Sequence, residues 1–150
     1  MATDEGRFAI VVARFYEELA ERLVSGASAA LPDEPDVYEV PGAFELPAAA
    51  QAVARTGRYA GIVCLGAVIR GETSHYDFVC AEAARGIQDV ALQTGVPCGF
   101  GVLTCDTYEQ ALERSGEGKR DSGAHAAEAV LAVGRVQRLA AASAQATNST

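Results

Sequence analysis

His75 stands in the stretch Arg70-Gly71-Glu72-Thr73-Ser74-His75-Tyr76-Asp77, a polar turn that opens a helical pattern. An imidazole exchanges protons near neutral pH. The unpaired N–H groups of a helix start favour an anion such as phosphate. Together they would form a base beside an anion cradle, although a surface or capping histidine occupies the same kind of position. Glu45 closes Val40-Pro41-Gly42-Ala43-Phe44-Glu45. Its carboxylate either complements a helix dipole or accepts hydrogen bonds from ligand hydroxyls. Gly42 favours the second use, because glycine lets a ligand approach the backbone. Phe15 and Tyr16 follow a run of Val and Ala and could stack on a flat ring or fill the core. Arg114 could clamp a phosphate or satisfy a helix C-terminus. His125 opens an Ala-rich segment with no polar cluster around it and reads as an ordinary exposed residue.

The elements that must position these residues alternate. Phe8–Ala13, Asp36–Val40, Gly61–Ile69 and Pro97–Leu103 are apolar, Val- and Ile-rich runs that read as buried strands. Helical periodicity covers 15–30, 44–55, the stretch after Ser74 to about Leu92, 107–115 and 124–141. Pro47 is tolerable only in a first turn. Ser74 with Asp77 fits a capping box, and Val79, Ala83, Ile87 and Val90 fall near one face. Residues 142–150 are low in complexity and are expected, with residues 1–6, to be disordered tails. The order β-α-β-α-β-α-β-α-α implies one α/β domain with a parallel sheet covered on both faces. In such folds ligands bind outside the carboxyl ends of the strands. That rule selects Phe15-Tyr16, Gly42–Glu45, Val68–His75 and Leu103–Thr107, the first three of which hold candidates named above.

Composition narrows the function. The 150 residues are 49% hydrophobic without a single Trp, so the core must be mostly Ala, Val, Leu and Ile. A formal net charge of −8 repels nucleic acids and anionic membranes. An anionic substrate would need a local cation. Cys64, Cys80, Cys98 and Cys105 form no C-x-x-C pair, and with two histidines no zinc spacing arises. They read as reduced thiols of a cytoplasmic protein. The N-terminus has no signal-peptide pattern, and no apolar run approaches the ~18 residues of a membrane span. Gly99-Phe100-Gly101 forms no phosphate loop, and no G-x-G-x-x-G follows the first strand.

Several blocks together resemble the lumazine synthase family. They are Val11-Val12-Ala13-Arg14-Phe15, Val40 to Glu45, and Leu65-Gly66-Ala67-Val68-Ile69-Arg70-Gly71-Glu72-Thr73. The match continues through His75-Tyr76-Asp77-Phe78-Val79, Phe100-Gly101-Val102-Leu103-Thr104 and Glu109 to Gly116. The resemblance implies a flavodoxin-like, three-layer α/β/α fold with a four-stranded parallel sheet. It implies a cofactor-free condensation of 5-amino-6-ribitylaminouracil with 3,4-dihydroxy-2-butanone 4-phosphate. The products would be 6,7-dimethyl-8-ribityllumazine, phosphate and water. By the same resemblance Phe15 would stack on the pyrimidine, while Ala43, Phe44 and Glu45 would hold the ribityl chain. Ala67, Val68 and Ile69 would pair with the uracil edge. Glu72 and Thr73 would bind phosphate, and His75 would move protons. Phe100 and Arg114 would come from a neighbouring subunit of a homopentamer or of a larger, icosahedral shell. Riboflavin synthase would be a further partner.

Two positions depart from the family pattern. Tyr16 stands where Asn is usual. Ser122, in Asp121-Ser122-Gly123, stands where the family commonly has a Lys that reaches the ligand, a role that Lys119 or Arg120 could take over. The Ser122 departure motivates a competing expectation, a ribityl- or flavin-binding relative with impaired catalysis. A purely structural shell protein is another, and a flavodoxin-type electron carrier a third. Against the carrier, the segment after the first strand, Arg14-Phe15-Tyr16-Glu17-Glu18, offers two acids where a phosphate loop is needed.

Overall fold

The computed structural model describes residues 6–116 and 120–148. Residues 1–5, 149 and 150 of the expected tails, and Lys119, lie outside the described residues. The described chain runs β1 (Phe8–Ala13), α1 (Glu17–Ala30), β2 (Asp36–Val40), a 3-10 turn (Ala43–Glu45) and α2 (Leu46–Ala54). It continues through β3 (Gly61–Ile69), α3 (His75–Thr94), β4 (Cys98–Cys105), α4 (Tyr108–Glu113) and α5 (Ser122–Asn148). The four strands form one parallel sheet in the order β2-β1-β3-β4.

Every residue of β1 is buried, because both faces of the sheet are covered. Phe8, Ile10 and Val12 point to one side, where they join Val63 and Leu65 of β3, Leu19 and Leu23 of α1, and Val130 of α5. Ala9, Val11 and Ala13 point to the other and join Ile62, Cys64, Leu46, Ala50, Ile87 and Val90. The period of two along a strand thus sorts an unbroken apolar run into two cores. The result is the three-layer α/β/α arrangement. Ala83, Ile87 and Val90 are the buried positions of α3, and Val79 packs beside them half-buried. Gly99 and Gly101 have a packing purpose: a Cβ on Gly99 would run into the Ala126 carbonyl of α5, and one on Gly101 would run into Leu65 of β3 and crowd Ala126.

Several boundaries differ from the sequence reading, each for a local reason. Tyr16 is extended, at φ −106° and ψ 96°, so α1 begins at Glu17 and leaves Phe15 and Tyr16 in the connection. The helix expected from Phe44 is split. Gly42 N–H donates to a Glu45 carboxylate oxygen at 2.9 Å and Gly42 C=O accepts from Glu45 N–H at 3.2 Å, which tightens residues 43–45 into a 3-10 turn. Pro47, without an N–H, then sits in the first turn of α2. α3 runs past Leu92 and stops at Gly95, whose φ of +79° suits a residue without a Cβ. β4 extends to Cys105 because β3 is long enough to pair with it as far as Ile69. α5 starts earlier than expected, since an Asp121 carboxylate oxygen accepts from Ala124 N–H at 3.0 Å. It also continues to Asn148, so residues 142–148 are helical rather than a disordered tail. Alanine, frequent there, has the highest helix propensity, and that outweighs the low complexity.

Candidate active site

The strands end unevenly, and the step between them makes the site. The last β1–β3 pair is Val12 with Leu65, yet β3 runs on to Ile69 and β4 runs beside it to Cys105. Ala67, Val68 and Ile69 therefore stand above the end of β1 as a wall. The order reverses here, with β2 to one side of β1 and β3 to the other, which is where α/β sheets hold ligands. A cavity of about 780 Å³ occupies this place.

Four segments distant in sequence line it. The β1–α1 connection gives Phe15 and Tyr16, and the 3-10 turn gives Gly42, Ala43, Phe44 and Glu45. β3 gives Ala67, Val68 and Ile69, and the first turn of α3 gives His75, Phe78 and Val79. Phe15 is 73% exposed, Phe44 59% and Phe78 68%. Rings so exposed are not core, so Phe15 does not fill the interior of its own chain. Phe15 meets Tyr16 edge-on, with centroids 4.9 Å apart, and Tyr108 stands behind Tyr16 at 6.1 Å. Such a set offers a flat ring a π face held at a fixed angle.

The polar groups are few. One Glu45 carboxylate oxygen accepts the Gly42 N–H already described. His75 is exposed at the start of α3. Its backbone N–H donates to Thr73 Oγ1 at 3.3 Å. The expected Ser74–Asp77 capping box does not form. Ser74 makes no side-chain cap, and the Asp77 carboxylate instead faces Arg70, with Oδ1 3.7 Å from Arg70 Nη1. Glu72 and Thr73 are exposed in the turn before His75 and do not line the cavity. Phe100 and Arg114 lie off the cavity as well. Phe100, 43% exposed, is on the edge strand β4. Arg114 follows α4 and donates from Nη1 to Gln110 C=O at 3.0 Å. Ser122 is its neighbour through a 3.0 Å bond from Ser122 N–H to Arg114 C=O.

The cysteines are poor nucleophiles. All four are free. Burial pushes the Cys64 thiol well above the ordinary range and Cys98 up to about 11. Burial also raises Cys80 and Cys105. The thiol form therefore dominates near neutral pH. Among the described residues no group of three or more His, Cys, Asp or Glu side chains could hold a metal ion.

Residues 5–138 match the sequence model of the family described as 6,7-dimethyl-8-ribityllumazine synthase. The chain belongs to that family. A protein of that name from Nitratidesulfovibrio vulgaris (strain DSM 19637 / Miyazaki F) is 47% identical over 136 residues, covering 87% of each chain. One from Salinibacter ruber is 47% identical over 137 residues, covering 87% of this chain and 88% of the relative. Another, from Desulfatibacillum aliphaticivorans, is 48% identical over 122 residues, or 77% and 79% of the two chains. For a lumazine synthase family member the sequence reading overlooked Phe78 and Val79 as cavity-lining residues, although both fall in a quoted block. Their spacing from His75, at i+3 and i+4, could have placed them on its face of α3.

Proposed function

We infer that this chain condenses 5-amino-6-ribitylaminouracil with 3,4-dihydroxy-2-butanone 4-phosphate, giving 6,7-dimethyl-8-ribityllumazine, phosphate and water, in riboflavin biosynthesis. The observation that carries the inference is the stepped cavity, which is lined by the same segments that resemble the family. The readings of a flavodoxin-type carrier, an impaired relative and an inert shell protein have no comparable support.

In this reading the uracil amine attacks the ketone to form an imine, phosphate leaves, and the second ring closes. Phe15 stacks on the pyrimidine, and the wall of Ala67, Val68 and Ile69 offers backbone groups to the uracil edge, as a strand offers them to a neighbour. Ala43, Phe44 and Glu45 hold the ribityl chain. Glu72 and Thr73 receive the phosphate beside the start of α3. His75 takes and returns the protons that imine formation and elimination require. No cofactor takes part.

The site is completed by a second copy. Phe100 and Arg114 serve the cavity of a neighbouring subunit in a homopentamer or a larger shell. Their position away from the cavity of their own chain supports this, as does the exposure of Phe100. Riboflavin synthase takes the product onward. The compartment is the cytoplasm: four free thiols fit a reducing environment. No described helix is long and apolar enough to cross a membrane. The deciding experiment mixes the purified protein with both substrates and follows lumazine fluorescence, with mass spectrometry of the assembly. A protein that assembles but produces no lumazine would overturn the reading.

A further inference from the structure

Arg70 lies two residues before Glu72 and Thr73, and its charge would make it an obvious receiver for a phosphate ester. The geometry points to a different use. We propose that Arg70 is a positioning residue that sets the place of His75, and that its charge is not offered to substrate. The proposal rests on the activity inferred above.

The guanidinium is engaged on three sides. Its Nε donates to Asp106 Oδ1 at 2.9 Å, and its Nη1 lies 3.7 Å from Asp77 Oδ1. Its central carbon sits 4.3 Å from the ring centroid of Tyr76, a cation–π contact. Tyr76 and Asp77 are the two residues that follow His75. Behind Arg70 the strut is anchored twice. Arg70 N–H donates to Cys105 C=O at 2.9 Å. Asp106 is itself held, because its N–H donates to Gln110 Oε1 of α4 at 2.8 Å. A rigid line therefore runs from α4 through Asp106 and Arg70 to the first turn of α3.

Few side chains hold the loop that leads into that turn. Residues 71–75 are all exposed, and Ser74 supplies no side-chain cap. Without Arg70 the start of α3 would rest on the bond from Asp77 N–H to Ser74 C=O at 3.0 Å, on the Thr73 contact, on the Tyr76 hydroxyl bonded to Thr104 of β4, and on the helix further along. The charges agree with the strut. One guanidinium faces two carboxylates, so an arriving phosphate would meet a locally negative group rather than a spare cation.

The test compares wild type with Arg70→Gln, Arg70→Lys and Asp106→Asn, the last nearly isosteric so that the fold is kept. Steady-state kinetics with both substrates are measured beside amide hydrogen exchange over residues 74–80. Arg70→Gln and Asp106→Asn should each lower kcat by about ten- to a hundredfold, since misplacing a reacting group by about 1 Å has that effect. KM for the butanone phosphate should move by less than about twofold. Exchange at the start of α3 should quicken in both. Arg70→Lys should fall between, because it keeps the charge but loses the planar fork. A rise of about tenfold or more in that KM for Arg70→Gln, with kcat and exchange unchanged, would make Arg70 a phosphate ligand and overturn the proposal. A lowered KM in Asp106→Asn, as a released cation would give, overturns it too. So does unchanged kcat in Arg70→Gln. If wild type makes no lumazine, the inferred activity fails, and the exchange data alone decide whether the strut exists.

Discussion

The two ends of the sheet are built to opposite plans. At the amino end, Arg7, Asp36, Tyr38, Arg58 and Tyr59 satisfy one another. Tyr59 O–H donates to Asp36 Oδ2 at 2.6 Å, the Tyr38 and Tyr59 hydroxyl oxygens are 2.6 Å apart, and Arg58 Nη2 donates to Tyr59 at 2.6 Å. Arg7 pairs with Asp36 from the other side. Burial pushes the Tyr59 hydroxyl up to about 12, so it remains a donor across the accessible pH range. At the carboxyl end, rings stand exposed around a cavity, and among the described residues none hydrogen-bonds the His75 ring. One end has spent its polar groups on the fold. At the other, Arg70, Asp77 and Asp106 pair beside the start of α3 while the His75 ring takes no partner among the described residues. The difference teaches that satisfaction of polar groups, more than their number, separates a structural cluster from a site.

The sharpest way to break the comparison is at His75. His75→Ala should lower turnover by roughly 10²- to 10⁴-fold and leave the melting temperature unchanged. Its partner experiment is Arg114→Ala, expected to raise KM for the butanone phosphate by roughly ten- to a hundredfold. Mixed assemblies of the two variants should recover activity that neither has alone, if the site spans two copies. Mixed assemblies that form but stay inactive would return Arg114 to the simple cap on Gln110.

A smaller effect is expected at Phe15. Phe15→Ala should weaken ribitylaminouracil binding by about three- to tenfold, and Phe15→Trp should keep it. Unfolding of the Ala variant, seen by circular dichroism, would contradict its exposed position.

At the amino end the signs reverse. Tyr59→Phe leaves Tyr38 and Asp36 short of a partner and should lower stability by about 1–3 kcal/mol in denaturant titrations, with turnover unchanged. Loss of turnover in a folded Tyr59→Phe protein would erase the division between the two ends. The weakest signal is the acid limb of stability. Arg7 and the Tyr59 hydroxyl hold the Asp36 carboxyl below its usual 3.8. Its stabilising contribution is therefore complete above that value and is lost as pH falls through the lower folded value. Asp36→Asn should flatten the stability profile below about pH 4; an unchanged profile would show the pair to be spent on solvent.

The sequence announced the carboxyl end far better than its connections. β1, β2 and β3 were legible to the residue, because a strand buried on both faces is written as an unbroken apolar run. The loops that carry Phe15, Glu45 and His75 followed from the rule on strand ends. What was hidden needs register. Arg70 and Asp106 are 36 residues apart, and nothing in either neighbourhood says that β3 and β4 end side by side. Competition was hidden too: Asp77 could cap Ser74 or face Arg70, and only the assembled fold decides. Gly99 and Gly101 form no phosphate loop, and the sequence around them does not show that α5 passes over them.

The four sulfurs, each held as the acid by burial, turn this chain into its own clock. An alkylating reagent or a peroxide consumes thiolate, so near neutral pH modification waits on whatever opening releases each sulfur. Cys64 sits in the middle of the sheet with no exposed surface, whereas Cys80, on α3 against Tyr76, is half-buried. The slow hand reports the parting of the sheet itself, and the faster one reports the loosening of the helix that begins at His75. Two rates read from one labelling reaction would time the fold and the site separately.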